Sequence, residues 1–231
     1  VDLETGTFLE ERFRIPTPQP ATPDAVAQTI AQVAQYFEPS TTTPIGVAFP
    51  GVIQNGVVMT AANLDDAWVG TDLREIVKQH LGHEVVALND ADAAGYGEFV
   101  YGAAHQRKGT IFLATLGTGI GTALIVDGHL VHNTELGHLI IDGLDAEDFA
   151  ADSARERHNL DFDEWAVHVN RYFGEIERLL WPDLIIVGGG VSKEHKSFLP
   201  QLRLRTPIMP AELFNKAGIV GAAAFAAHAT P

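Results

Sequence analysis

The chain has 231 residues, 46% of them apolar and 19% charged, enough core for one large domain or two small lobes. A formal net charge of −15 excludes a nucleic-acid groove, which needs a basic stripe, and obliges any polyanionic ligand to find a local basic patch. Without cysteine there is no disulfide or cysteine zinc site, and no apolar run has the length of a membrane span or the form of a signal peptide. The expectation is a soluble cytoplasmic protein with no nucleic-acid or membrane partner.

Val1-Asp2-Leu3 runs straight into Glu4-Thr5-Gly6 with no preceding methionine, which reads as a turn leaving a strand whose hairpin partner is missing. Thr22-Pro23-Asp24 starts a helix with a hydroxyl cap, a proline in the first turn and an acid at the positive end. Val26, Ile30, Val33 and Phe37 then recur as its apolar face. Ile45 to Phe49 is a short strand closed by Pro50-Gly51, and Ile53 to Val58 is a hairpin about Asn55-Gly56. Leu73 to Leu81 reads as helix, Glu84 to Leu88 as strand, and Ala91 to Tyr101 as a helix of small residues. Ile111 to Leu116 and Ala123 to Val126 are strands around a glycine loop, and Asp127-Gly128 turns the second back into His129-Leu130-Val131.

A helix is expected around 146–155, and Trp165, Val169, Tyr172, Ile176 and Leu179 mark a long amphipathic one. Leu184 to Val187 is a strand ending in three glycines, and an alanine-rich helix closes the chain from about Ala217 to His228. Strands alternating with helices predict an α/β architecture with largely parallel sheets.

The chemistry gathers where strands end, because ligands of open α/β sheets collect outside the carboxyl ends. Gly117, Thr118, Gly119 and Gly121 form a loop whose backbone N–H groups could converge on phosphate oxygens, or simply a glycine-rich turn between strands. Gly188, Gly189 and Gly190 repeat the pattern, with a tight strand–helix turn as the alternative. Two such loops favour a phosphorylated ligand.

Asn89 and Asp90 stand where a strand meets a helix. A carboxylate there is fixed, reachable and kept ionised by the helix terminus, as a general base for an alcohol requires. Either residue would equally serve as the helix cap. Asp92 reads as an ordinary first-turn acid. Glu135 and His138, three residues apart, face one way on a helical turn and suit the hydroxyls of a sugar; two such ligands are too few for zinc.

In order and spacing these motifs resemble the ROK family of sugar kinases and repressors. The matching stretches are Pro50-Gly51, Ala61-Ala62-Asn63-Leu64, Leu88-Asn89-Asp90-Ala91, Leu116 to Gly121, Glu135-Leu136-Gly137-His138 and Gly188 to Ser192. Asn89 to Gly95, Arg205 to Ala211 and Ala217 to Ala223 are similar to the actinobacterial polyphosphate glucokinases within that family.

The resemblance implies an actin-like ATPase fold of the ribonuclease H-like type, two α/β lobes with a cleft between them. Residues 1–100 with 215–231 would form the small lobe and 101–214 the large one. It implies transfer of a phosphoryl group from polyphosphate or ATP to the glucose 6-hydroxyl. Asp90 would be the base, and Asn63, Asn89, Glu135, His138 and Glu147 would hold the sugar. Gly117, Thr118, Gly119, Gly121, Gly188, Gly189, Gly190 and Lys193 would lie about the donor. Mg²⁺ would accompany the donor phosphates, zinc would be absent because the family's cysteine-rich motif is missing, and the protein would be a homodimer.

The family's first phosphate loop is expected just upstream of Val1 and is not in the sequence, which leaves a sugar-binding protein without transfer as an alternative. An ATP-only hexose kinase is another. No helix-turn-helix pattern supports a repressor.

Overall fold

A computed structural model describes residues 1–61 and 64–229. The chain starts not on a strand but in a tight turn, where the Gly6 N–H donates to the Asp2 carbonyl at 2.9 Å. Helix α1 (Pro23–Tyr36) begins as expected, with the Thr22 hydroxyl accepting from the Ala25 N–H. Its most buried residues are Ala27 and Ala31, whereas Phe37 is exposed beyond the helix end. Small side chains occupy the centre of this face because α1 packs against α2 (Leu73–Leu81).

Between these helices lie β1 (Gly46–Phe49) and the hairpin β2 (Ile53–Gln54) and β3 (Val57–Val58). Asn55 and Gly56 have φ of 51° and 84°, the left-handed pair that a two-residue hairpin needs. Strand β4 (Val86–Asn89) runs parallel to β1 and leads directly into α3 (Asp90–Tyr101). Val47, Phe49, Val58, Trp68, Leu73 and Val77 form the core of this lobe.

The second lobe is built on a five-stranded sheet. It contains β5 (Thr110–Leu116), β6 (Ile120–Val126) and β7 (His129–Val131), joined antiparallel. After the short hairpin β8 (Ile140–Ile141) and β9 (Leu144–Asp145) come α4 (Glu147–Ala150), α5 (Asp152–Arg157) and α6 (Phe162–Leu180). Strand β10 (Leu184–Gly188) pairs parallel with β5, and beyond α7 (His195–Phe198) β11 (Ile208–Pro210) pairs parallel with β10. Helix α8 (Ala217–Ala229) ends the described chain.

Strand β5 is apolar throughout because both faces are covered. Phe112, Ala114 and Leu116 join the core with Trp165, Tyr172 and Phe173 of α6, while Ile111 and Leu113 join Ala103, Ala104 and Ala123 on the other side. An Asp161–Glu164 capping box starts α6. Leu179, expected on its buried face, is 48% exposed near the helix end, and Phe173 and Ala166 complete the stripe instead. The single helix expected around 146–155 is two, broken at Ala151, whose ψ of 154° is extended.

Helix α8 returns to the first lobe, packing on α3, β1 and β4. The two helices approach so closely that a Cβ on Gly221 would sit 1.7 Å from the Ala93 carbonyl oxygen. Gly174 in α6 has open space around the same position. Gly221→Ala should therefore cost about 1–3 kcal/mol or more in urea unfolding, through overpacking. Gly174→Ala should stabilise by about 0.5–1 kcal/mol through helix propensity. Two shifts of the same sign would show that the α3–α8 contact is looser than described.

Candidate active site

Asn89 is the last residue of β4, and its side chain caps α3. Its Oδ1 accepts from the Ala91 N–H at 2.8 Å and the Asp92 N–H at 3.1 Å, and its Nδ2 donates to the Gly51 carbonyl at 3.1 Å. The choice between Asn89 and Asp90 as cap is thereby decided by geometry. Asp90 is left in the first turn with its carboxylate open to a cleft of about 740 Å³ between the lobes. The cleft walls displace much of its water and raise its pKa above 3.8, an effect opposed by the nearby Ala91 and Asp90 N–H groups and reinforced by Asp92.

The far wall carries Glu135 and His138, at the start and end of a single 3₁₀ turn after β7. Gly137 lies between them because the turn presses on β6: a Cβ there would meet the Ile120 carbonyl oxygen at 2.0 Å. Burial raises the Glu135 pKa; His138 counteracts this, while Asp92, Glu147 and Asp90 add to it. Glu147, the first residue of α4, accepts from the Ile120 N–H at 3.1 Å, so it buttresses the glycine loop as well as facing His138 Nε2 at 3.6 Å.

The loop 117–119 joins β5 to β6, whose last pair is Leu116 with Ile120. The break between α4 and α5 lets Ser153 support it, with the Ser153 N–H donating to the Gly117 carbonyl at 3.0 Å and its hydroxyl to the Thr118 carbonyl at 2.6 Å. Gly189, at φ 85°, folds the second glycine loop against the end of β5, so closely that a Cβ there would sit 2.3 Å from the Leu116 carbonyl oxygen.

One cleft thus gathers Asn89, Asp90, Glu135, His138, Glu147, Gly117, Thr118, Gly119, Gly121 and Gly189. Gly188, Gly190 and Lys193 lie outside its wall, Lys193 exposed on the 3₁₀ turn Gly190–Glu194. Asn63 lies outside the described residues. Sequence reasoning missed Phe214 and Asn215 in the wall, and Asp145 and Ser153, which bond to His138 and Thr118 from behind it. Asp145 reaches His138 only through the β8–β9 hairpin, and no periodicity signals such a contact.

The Asp145 Oδ2 lies 3.1 Å from His138 Nδ1, and this hydrogen bond is the main cause of a raised imidazole pKa. Glu147, Asp145 and Glu135 reinforce it electrostatically, against the loss of water. Because the folded value is the higher one, the pair's contribution to stability is complete below about pH 6.5 and is lost as pH rises through the folded value. In an NMR titration His138 should titrate above 6.5, and Asp145→Asn should bring it down. An unchanged midpoint in that variant would assign the shift to Glu147 and Glu135 instead.

The ROK family pattern matches residues 1–159. The polyphosphate glucokinase of Mycobacterium tuberculosis is 49% identical over 224 residues, covering 96% of this chain and 84% of that protein. The Mycobacterium leprae polyphosphate glucokinase is 50% identical over 224 residues, covering 96% of this chain and 68% of that one. The inorganic polyphosphate/ATP-glucomannokinase of Arthrobacter sp. strain KM superposes with a TM-score of 0.92 at 54% identity, covering 99% of this chain and 92% of that one. A ROK glucokinase from Streptomyces griseus, solved with glucose and AMPPNP, gives 0.78 at 27% identity, covering 94% and 91%. The two α/β lobes and their cleft are those of the actin-like ATPase fold, and the chain belongs to the ROK family.

Proposed function

We propose that the protein is a glucokinase that transfers a phosphoryl group from inorganic polyphosphate or ATP to the 6-hydroxyl of glucose. The observation that carries this is Asp90, released from capping by Asn89 and set in one cleft between the Glu135–His138 wall and the glycine loop. The similarity to polyphosphate glucokinases and to a polyphosphate/ATP-glucomannokinase supports the donor and the sugar.

In this reading Glu135, His138, Glu147, Asn89 and Asn63 engage sugar hydroxyls. Asp90 accepts the 6-hydroxyl proton as that oxygen attacks the terminal phosphorus in line, and the shortened donor leaves with the electron pair of the broken P–O bond. Backbone N–H groups of Thr118, Gly119 and Gly189, which line the cleft, face the charge developing on the transferring group. Among the described residues no three His, Asp or Glu side chains gather as metal ligands. Mg²⁺ would be carried in on the donor phosphates, whose oxygens with water would supply most of its ligands, and would neutralise charge there.

The lobes divide as residues 1–100 with 215–231 and residues 101–214, supported by separate cores and by the packing of α8 on α3, β1 and β4. A cytoplasmic homodimer completes the proposal. It is supported by the absence of cysteine and, among the described residues, of any helix long and apolar enough to cross a membrane, and by exposed apolar side chains such as Ile140 and Val167.

Asp90→Asn should lower kcat by about 10²-fold or more and leave glucose affinity nearly unchanged, because only the transition state needs the base. The acid limb of kcat/KM should lie above 3.8, since the base must be ionised and burial has raised its pKa. Near-normal turnover of the variant would remove Asp90 from the chemistry.

The donor can be tested through salt. The turns Gly190–Glu194 and Phe214–Lys216 touch, and Arg12 donates to the Asn215 carbonyl at 3.1 Å, so Lys193, Lys216 and Arg12 are carried on segments beside the Phe214–Asn215 edge of the cleft. A polyphosphate tail would meet these cations over a greater length than ATP does. Raising ionic strength from 0.01 to 0.1 M shortens the Debye length from about 30 to about 10 Å. It should raise KM for polyphosphate several-fold more than KM for ATP, and Lys193→Glu should act in the same direction. Parallel salt curves would favour the ATP-only kinase, which a net charge of −15 also suits.

A further inference from the structure

In the β2–β3 hairpin the pair Ile53–Val58 is the one that exchanges no hydrogen bonds with itself, so both residues direct N–H and C=O outward. Val58 satisfies its groups locally, donating to the Thr71 carbonyl at 2.9 Å and accepting from the Gly70 N–H at 2.8 Å. Ile53 is only 7% exposed and has no such neighbour among the described residues of its own lobe. Its partner is the Asn133 carboxamide, 80 residues away and on the segment that carries Glu135. Asn133 Oδ1 accepts from the Ile53 N–H at 2.9 Å, and its Nδ2 donates to the Ile53 carbonyl at 2.7 Å. One side chain therefore stands in for an adjoining strand.

Asn133 is itself held. Its φ is 59°, a left-handed conformation that asparagine tolerates better than most residues. Its N–H donates at 2.8 Å to Asp92 Oδ2, a carboxylate with no exposed surface. Asp92 lies in the first turn of α3, two residues beyond Asp90. Its Oδ2 is 3.7 Å from His132 Nδ1, and its Oδ1 has no partner among the described residues. A buried carboxylate carries a desolvation cost, and the contact it makes here is a cross-element one. Ile53 follows Gly51 and Val52 of the near wall of the cleft, and Asn133 precedes Thr134 and Glu135 of the far wall.

We infer that Asn133, oriented by Asp92, is a positioning residue that clasps the Gly51–Ile53 wall to the Glu135 segment and thereby sets the affinity for the sugar. The contact is made before and during phosphoryl transfer alike, so its loss weakens ground state and transition state together and appears in KM rather than kcat.

The test is Asn133→Gly, which keeps the left-handed backbone and removes only the carboxamide. KM for glucose should rise about tenfold or more, with kcat and the donor KM within about threefold. Asp92→Ala should move glucose KM the same way, and Asp92→Asn, whose carboxamide oxygen still accepts the Asn133 N–H, should recover most of that loss. If Asp92→Ala does not fold, Asn133→Gly decides alone. A glucose KM within twofold of the parent for folded Asn133→Gly overturns the inference, and failure of Asp92→Asn to recover the loss overturns the part given to Asp92. The kinetic readout rests on the glucokinase reading. Should the parent protein not phosphorylate glucose, that reading falls, and the clasp is judged by hydrogen exchange at the Ile53 amide. Protection in the parent that is lost in Asn133→Gly sustains it; equal exchange in both overturns it.

Discussion

Two hydrogen bonds that the Ala91 and Asp92 N–H groups donate to the Asn89 carboxamide oxygen close the N-terminus of α3, and the rest of the cleft depends on them. They satisfy the helix end without a carboxylate, so Asp90 remains free at the positive end of the helix dipole. The same asparagine donates to the Gly51 carbonyl, tying the near wall to the base of the cleft. Helix α3 then carries three acids with three different tasks. Asp90 opens onto the cleft, Asp92 holds Asn133, and Glu98 accepts from Ala103, Glu212 and Leu213 N–H groups at 2.8, 3.0 and 2.7 Å. Through Glu98 the helix also fixes the segment leading to Phe214 and Asn215, which line the cleft. One helix thus sets Asp90, the near wall and the entry to α8, and its close approach to α8 through Gly97 and Gly221 keeps it in place.

The electrostatics of the cleft divide along the same lines. On the Glu135–His138 side, Glu147 and Asp90 stand close enough to Glu135 to raise its proton affinity, and His138 counteracts them. On the opposite side the wall is largely backbone and glycine, which presents N–H dipoles.

Much of the local structure was legible because its causes are local. Thr22-Pro23 announced a helix, Asn55-Gly56 a hairpin, and the apolar run through Leu116 a strand ending in a phosphate-type loop. The failures were of another kind. Nothing within 146–155 signals the break at Ala151, because its compensation comes from Ser153 bonding to a loop more than thirty residues earlier. Phe37 and Leu179 had the right spacing but stand at helix ends, past the surface that their helices bury. Asp92 passed for an ordinary first-turn acid, since its partner Asn133 lies 41 residues ahead.

The sequence by itself determined the family, the order of the elements and the candidate residues, because caps, turns and apolar periods act within a few positions of the chain. Only the tertiary structure decided that Asn89 rather than Asp90 caps α3, that Asp145 pairs with His138, and that Asn133 completes the edge of β2. Each of those outcomes depends on which unsatisfied polar group is brought beside which when the lobes pack, and a buried N–H or carbonyl accepts the partner that packing supplies.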